Sequence, residues 1–217
     1  MTPRRDAICR GMQMPDPIVH VIDDDDAARD SLEFLLRTAK LMVATYASAL
    51  GFLQLVPELT GGCIVTDIRM PDLDGIGLLK RLNEIKSKLP VIVITGHGDV
   101  AMAVEAMKLE AVDFLEKPFS DEALLVAVQS ALNEWRKEAG RETERQEIME
   151  RLATLSPREN DVLRGLVAGG PNKVIAYNLG ISSRTVEIYR ANVMTKTRTG
   201  SLPELVRIAL LAGILGR

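Results

Sequence analysis

Four consecutive carboxylates, Asp23, Asp24, Asp25 and Asp26, follow the apolar segment IVHVI. Like charges this close repel, so something must hold them. Other polar residues fall at equivalent places: Asp67 after GCIVT, Thr95 after PVIVI and Lys117 after VDFLE. Each closes a short apolar run of the kind that forms a strand buried on both faces. Carboxylates from two strand ends can share a hard divalent cation, and Mg²⁺ takes one or two carboxylates, waters and a phosphate oxygen. One carboxylate in such a site can attack phosphorus. Asp67 is nominated because it stands alone and precedes IRMPDLDGIG, a loop whose turns leave it accessible. Thr95 has a hydroxyl to give to a phosphoryl oxygen, Gly96 lets the backbone come close, and Lys117 offers a point charge. Pro118 can carry a cis bond that aims Lys117. Asp25 and Asp26 fall at a helix start, where the dipole favours negative charge.

This chemistry requires one scaffold that brings several strand ends to one rim. IVHVI, MVATYA, GCIVTDI, PVIVIT and VDFLEK read as strands, each followed by an amphipathic stretch. DAARDSLEFLLRTAK sets Ala28, Leu32, Leu35, Leu36 and Ala39 on one helical face. SALGFLQLV opens on a Ser cap and stops before Pro57. His20 reads as a strand residue and His97 as a loop residue. Five β-α units predict an α/β module, a five-stranded doubly wound parallel sheet of the flavodoxin-like kind. The working site of such a sheet lies beyond the carboxyl ends of its strands. Asp23, Asp24, Asp67, Thr95 and Lys117 then share a rim.

The net charge of −3 over 217 residues conceals two unlike halves. Residues 15–130 carry 10 Lys and Arg against 19 Asp and Glu, a balance of −9. Residues 155–217 carry 9 against 4, a balance of +5. Two modules with different partners are expected. Between them, NEWRKEAGRETERQEIMERLA is dense in Glu and Arg. Glu138 repels Glu134 and Glu142 at i,i+4, whereas Glu147 and Arg151 attract. This reads as a solvated helix with Gly140 its weakest point, or alternatively as disorder. In the rear half, Ser156, Pro157 and Glu159 make a helix start with a capping box. NKVIAYNL, SSRTVEIYRANVMTKT and SLPELVRIALLAGIL complete four short helices, with Gly180 in a tight turn, a helix-turn-helix arrangement. The chain divides into an extension 1–16, an α/β module 17–132, a charged linker 133–153 and an all-α four-helix module 154–217. No run approaches the roughly 20 apolar residues of a membrane span. The N-terminal arginines lack the apolar block of a secretory signal, and Met12 or Met14 is an alternative start. Cys9 and Cys63 are too few for a disulfide framework, so a reducing cytoplasm is the expected home.

VIDDDD, VTDIRMPDLDG, VIVITGHGD and DFLEKPF resemble the receiver domain of two-component response regulators, over about residues 18–136. The resemblance implies that Asp67 accepts a phosphoryl group. It also implies that Asp23, Asp24, Asp67 and the backbone carbonyl of Arg69 hold Mg²⁺, and that Thr95 and Lys117 are switch and phosphate-binding residues. Phe114 stands where the family often has an aromatic residue; without a hydroxyl, it would switch by packing. LSPRENDVLRGLVAGGPNKVIAYNLGISSRTVEIYRANVMTKT resembles the LuxR/NarL-type helix-turn-helix. Together with TGHGDVAMAVEAMKLEAVDFLEKPF it is most similar to regulators of nitrogen-fixation genes. Two features depart from the pattern: the extension before Pro15 is long, and Pro171 in GGPNK replaces a polar residue. The partners implied are a cognate sensor histidine kinase, double-stranded DNA, RNA polymerase and a second copy of the chain joined on phosphorylation, with no membrane.

If SSRTVEIYRANVMTKT is the recognition helix, Val186, Tyr189, Val193 and Thr197 face its core at near-helical spacing. Arg184, Thr185, Glu187, Ile188, Ala191 and Thr195 then belong to the DNA side. Glu187 can accept from a cytosine amine and Ile188 can touch a thymine methyl. Lys173, Arg184, Arg190, Asn192 and Lys196 are expected phosphate contacts, setting register and salt dependence. A phosphatase using Asp67 as nucleophile would place a second carboxylate two residues later, where Arg69 stands. This speaks against a phosphatase, and the receiver resemblance implies self-directed phosphoryl transfer with slow hydrolysis rather than turnover. The alternative left open is a phospho-regulated interaction module whose rear helices dock a protein.

Overall fold

The computed structural model describes residues 16–96 and 100–214, and divides into two compact units, residues 1–137 and 138–217. Expectations placed on the extension and on His97 lie outside the described residues. In the first unit, β1 (Ile18–Ile22), β2 (Met42–Tyr46), β3 (Gly62–Asp67), β4 (Val91–Thr95) and β5 (Asp113–Glu116) form one sheet. All neighbours pair in parallel, in the order β2-β1-β3-β4-β5. Helices α1 (Asp26–Thr38), α2 (Ala49–Leu55), α3 (Gly75–Glu84), α4 (Val100–Lys108) and α5 (Asp121–Ala153) follow the strands, as a parallel sheet requires.

Strand side chains alternate between two cores, which is the period-2 signature of a sheet covered on both sides. Val19, Val21, Cys63, Val65, Ile92 and Ile94 pack with Leu32 and Leu36 of α1 and with Leu124, Val128 and Leu132 of α5. Ile22, Ile64 and Val93 pack on the other side with Phe52 of α2, Leu78, Leu79 and Leu82 of α3, and Ala106 of α4. His20 is the polar exception within β1: it is buried, and its Nδ1 lies 3.0 Å from the Tyr46 hydroxyl. The burial of Cys63 pushes its thiol up to about 12, so it stays protonated.

Local chemistry ends the elements. Asp25 caps α1 by accepting from the Ala28 amide at 2.8 Å. The helix closes at Thr38, so Ala39 is the exposed C-cap rather than the last residue of the apolar face. Ser48 caps α2, and the chain runs on through Pro57 as a single 3-10 turn, Val56–Glu58. The Lys117–Pro118 bond is cis.

The charged segment is helical throughout, as the later part of α5. Glu147 and Arg151 pair at 2.9 Å along it. It is less solvated than its composition suggests. Ile148 and Leu152 are buried in the second unit's core, because an i,i+4 apolar pair needs only one stripe among charged neighbours.

The second unit continues with α6 (Pro157–Val167), α7 (Asn172–Leu179), α8 (Ser183–Thr197) and α9 (Leu202–Leu211) around Val162, Leu163, Leu166, Ile175, Val186, Val193, Leu205 and Ile208. The capping box at Ser156 and Glu159 is present. Pro171 itself is the N-cap of α7 and makes no side-chain cap bond. Gly180 ends α7 at φ 65°, a left-handed conformation that glycine adopts without a Cβ penalty. Ser182 then caps α8, accepting from the Thr185 amide at 3.1 Å.

Candidate functional site: a carboxylate rim and a basic helix face

Strand order reverses between β1 and β3, and the register sets Ile22 opposite Thr66. Asp23 and Asp67, the next residues of β1 and β3, therefore come together at the carboxyl edge, the switch point of the sheet. Lys117 reaches them from the end of β5. Its Nζ lies 2.6 Å from Asp67 Oδ1 and 3.4 Å from Asp23 Oδ2. Its amide donates to the Thr95 carbonyl at 2.8 Å, which ties the ends of β4 and β5.

Both carboxylates are largely withdrawn from water, and each is satisfied by the chain. The Asp25 amide donates to Asp23 Oδ1 at 2.9 Å, and the Arg69 amide donates to Asp67 Oδ2 at 2.6 Å. Burial pushes the Asp23 carboxyl up, and neighbouring Asp67 adds to the push. The Asp25 amide and Lys117 pull it back. Burial also works against the Lys117 charge, but its bond to Asp67, reinforced by Asp23, wins and holds that ammonium above the ordinary lysine value.

The structure brings Asp23, Asp67 and Lys117 into contact and places the other expected residues around them. Asp24 is exposed, and among the described residues no three acidic, His or Cys side chains are gathered closely enough to grip a metal. Two hard-oxygen donors converging on one cation still fit the Mg²⁺ chemistry, provided Asp24 turns inward to join them. Thr95 is buried, and its hydroxyl donates to the Gly96 carbonyl at 3.2 Å rather than to Asp67. Phe114 is 41% exposed and borders a cavity of about 430 Å³ with Thr95, Ala103, Val104 and Met107.

Three contributors to this rim were not read from the sequence. The Thr66 hydroxyl donates to the Asp67 carbonyl at 3.0 Å from a fully buried position. A Cβ on Gly75 would stand 2.6 Å from that same carbonyl, so only glycine lets α3 begin so close. Arg29 donates to the Asp23 carbonyl at 2.6 Å and pairs with Asp26. Its signal was the i,i+3 spacing from Asp26, a helix-surface pair easily set aside as solvated.

In the second unit, Val186, Val193 and Thr197 of α8 are buried and Tyr189 packs beside them. Arg184, Glu187, Ile188, Ala191, Asn192 and Thr195 are exposed on the other side, with Ile188 an apolar side chain 56% open to solvent. Lys173 at the start of α7 borders the same hollow, about 590 Å³, as Glu187 and Arg190. Arg190 and Thr185 are half-buried, and the Thr185 hydroxyl is engaged with Ser182 at 2.8 Å. Lys196 departs from the expected row of phosphate contacts. Its Nζ is held 2.6 Å from the buried Glu159 carboxylate and 3.3 Å from the Thr154 carbonyl. The bond from Lys196, followed by that from the Ser156 amide, draws the Glu159 carboxyl down to about 2.

Family models match both units. The response regulator receiver domain matches residues 19–129, and the luxR family of bacterial regulatory proteins matches residues 153–209. The chain belongs to the DNA-binding response regulators. Among its relatives is the transcriptional regulatory protein FixJ of Azorhizobium caulinodans, 57% identical over 202 residues, covering 93% of this chain and 96% of that one. FixJ of Bradyrhizobium diazoefficiens is 54% identical over 197 residues, 91% of this chain and 96% of that one. Among solved structures, full-length FixJ from B. japonicum is 53% identical with a TM-score of 0.57, covering 92% of this chain and 98% of that one. The response regulator StyR is 39% identical with a TM-score of 0.81, covering 90% and 98%. A response regulator takes its signal from a sensor kinase, and the receiver family generally uses Mg²⁺ for phosphorylation. Among the described residues no helix is long and apolar enough to cross a membrane.

Proposed function

We propose that Asp67 accepts a phosphoryl group from a phosphohistidine of a FixL-like sensor kinase and thereby controls transcription of nitrogen-fixation genes. The observation that carries this reading is the Lys117 ammonium bridging Asp67 and Asp23 at the switch point of the sheet. An Asp67 oxygen attacks phosphorus in line, the P–N bond breaks, and the electron pair leaves with the histidine nitrogen. Lys117 stands where it can follow the charge onto a phosphoryl oxygen. The Thr95 hydroxyl, which donates to the Gly96 carbonyl at 3.2 Å, would exchange that bond for another phosphoryl oxygen. Asp23, Asp24, Asp67 and the Arg69 carbonyl would hold Mg²⁺, which supplies positive charge to the phosphoryl oxygens. The acyl phosphate then hydrolyses slowly in place, without turnover of a separate substrate.

Thr95 and Phe114 line the same cavity, so withdrawal of Thr95 would enlarge it and Phe114 would report that by repacking. Two receivers then pair through the face made by α4, β5 and α5. This face brings two helix-turn-helix modules, residues 154–217, to paired half-sites of double-stranded DNA. There Glu187 and Ile188 read base edges, while Lys173, Arg184, Arg190 and Asn192 grip phosphates. Thr185 and Ala191 lie against the groove, and RNA polymerase is recruited as for an activator in the cytoplasm. The receiver spans residues 17–132, and the charged segment 133–153 leads from it as the later part of α5, with Ile148 and Leu152 already packed in the second unit's core.

The deciding experiment is labelling by acetyl phosphate with Mg²⁺. Asp67→Asn is expected to lose phosphoryl uptake completely while keeping its fold by circular dichroism. Uptake by that variant at the parental rate would overturn the assignment.

A further inference from the structure

We infer that Arg29 is a positioning residue for the divalent-cation site, clamping the acidic turn so that Asp23 presents its carboxylate to the ion. The inference rests on the Mg²⁺ reading above and extends it to a residue outside the ligand set. Arg29 lies one turn into α1, yet its side chain is only 14% exposed, unusual for an arginine beside four carboxylates and open solvent. One prong of the guanidinium donates to the Asp23 main-chain carbonyl at 2.6 Å, and the other pairs with Asp26. Asp25 works from the opposite side, its amide bonding Asp23 and its carboxylate capping Ala28. The turn from 23 to 26 is thereby stapled at both its ends to the helix that follows it.

Of the two prongs, the one on the Asp23 carbonyl carries the clamp. Asp26 is 89% exposed, and a surface pair of that kind contributes little. The bond to the Asp23 carbonyl holds the backbone from which a buried carboxylate projects, and a charge-assisted bond of this sort is among the stronger ones. A lysine would keep the charge but replace the planar, preorganised guanidinium with a compact, strongly hydrated ammonium on a flexible stem, a poorer holder of the Asp23 carbonyl.

Charge and position make opposite predictions for metal binding. Removing a positive charge near a cation site should tighten cation binding if charge compensation were all that Arg29 supplied. Removing a clamp should weaken it. The test is Mn²⁺ binding to the full-length protein, followed by electron paramagnetic resonance of the free ion, for the parent, Arg29→Gln and Arg29→Lys. Thermal unfolding in EDTA serves as the fold control, and Arg29→Lys, which keeps stem and charge, guards against a folding failure of Arg29→Gln. The clamp predicts that both variants bind about tenfold more weakly, the loss of one charge-assisted hydrogen bond's contribution to placing the ligand. Tighter binding by Arg29→Gln with unchanged binding by Arg29→Lys would overturn the clamp in favour of simple charge compensation. Unchanged binding by both would overturn any role. A parent that binds no Mn²⁺ would instead sink the metal reading on which the clamp depends.

Discussion

Lys117 carries opposed demands. It sits between two withdrawn carboxylates and supplies a positive charge to both. Burial alone would push Asp23 toward its neutral form, and Lys117 together with the Asp25 amide opposes that. Replacing it with methionine should leave two facing acids uncompensated. We expect Lys117→Met to lower stability in EDTA by about 1–3 kcal/mol, the range for stranding a buried polar group. Added Mg²⁺ should recover more stability in the variant than in the parent, because the metal then relieves the repulsion the ammonium had relieved. Urea unfolding with and without Mg²⁺ checks this; equal recovery in both proteins would contradict the placement of the ion between Asp23 and Asp67.

The start of α6 shows how one side chain serves two elements. Glu159 completes the capping box with Ser156 and also receives Lys196, so it joins α6 to α8 within the second unit. Its carboxyl is held at about 2 in the folded protein, against an ordinary value of 4.5. Because the folded value is the lower one, the stabilisation is complete above about pH 4.5 and drains away as pH falls toward about 2. Glu159→Gln keeps the cap geometry but loses the charge. It should cost about 1–3 kcal/mol at neutral pH and flatten the unfolding profile across that acid window. A variant as acid-sensitive as the parent between those values would assign the pH dependence elsewhere. The same pairing engages the Lys196 ammonium within the unit, on a helix where a phosphate contact was expected of it.

For the molecule as a whole, the proposal joins one covalent event to a change of assembly. Light scattering of the full chain with and without beryllofluoride and Mg²⁺ tests site, switch and pairing together. We expect the mass to double with the phosphoryl mimic in the parent and to stay monomeric in Asp67→Asn. On DNA, Lys173→Ala should lower the slope of log affinity against log salt by about 1 and weaken all sequences alike, as a phosphate contact does. Loss confined to one operator base would mark Lys173 as a reader of sequence instead.

Much of this was legible in the residues. Apolar runs of β-branched side chains between amphipathic stretches specify parallel strands and their covering helices, because burial on both faces leaves no room for alternation. Asp23, Asp67, Thr95 and Lys117 were visible because a polar residue at the end of such a run has only the sheet's rim to occupy. Caps such as Ser48 and Ser156 were likewise readable, since capping is settled within one turn. Other features depended on long-range packing. The parallel register of β1 and β3 puts Asp23, and not Asp24, against Asp67. The approach of α3 makes Gly75 necessary, and the fold of α8 onto α6 turns Lys196 toward Glu159. Ile148 and Leu152 looked solvated until a core closed on one stripe of their helix. Local preference acts over a few bonds, whereas these contacts join residues far apart in the chain, and their partners exist only once the chain has folded.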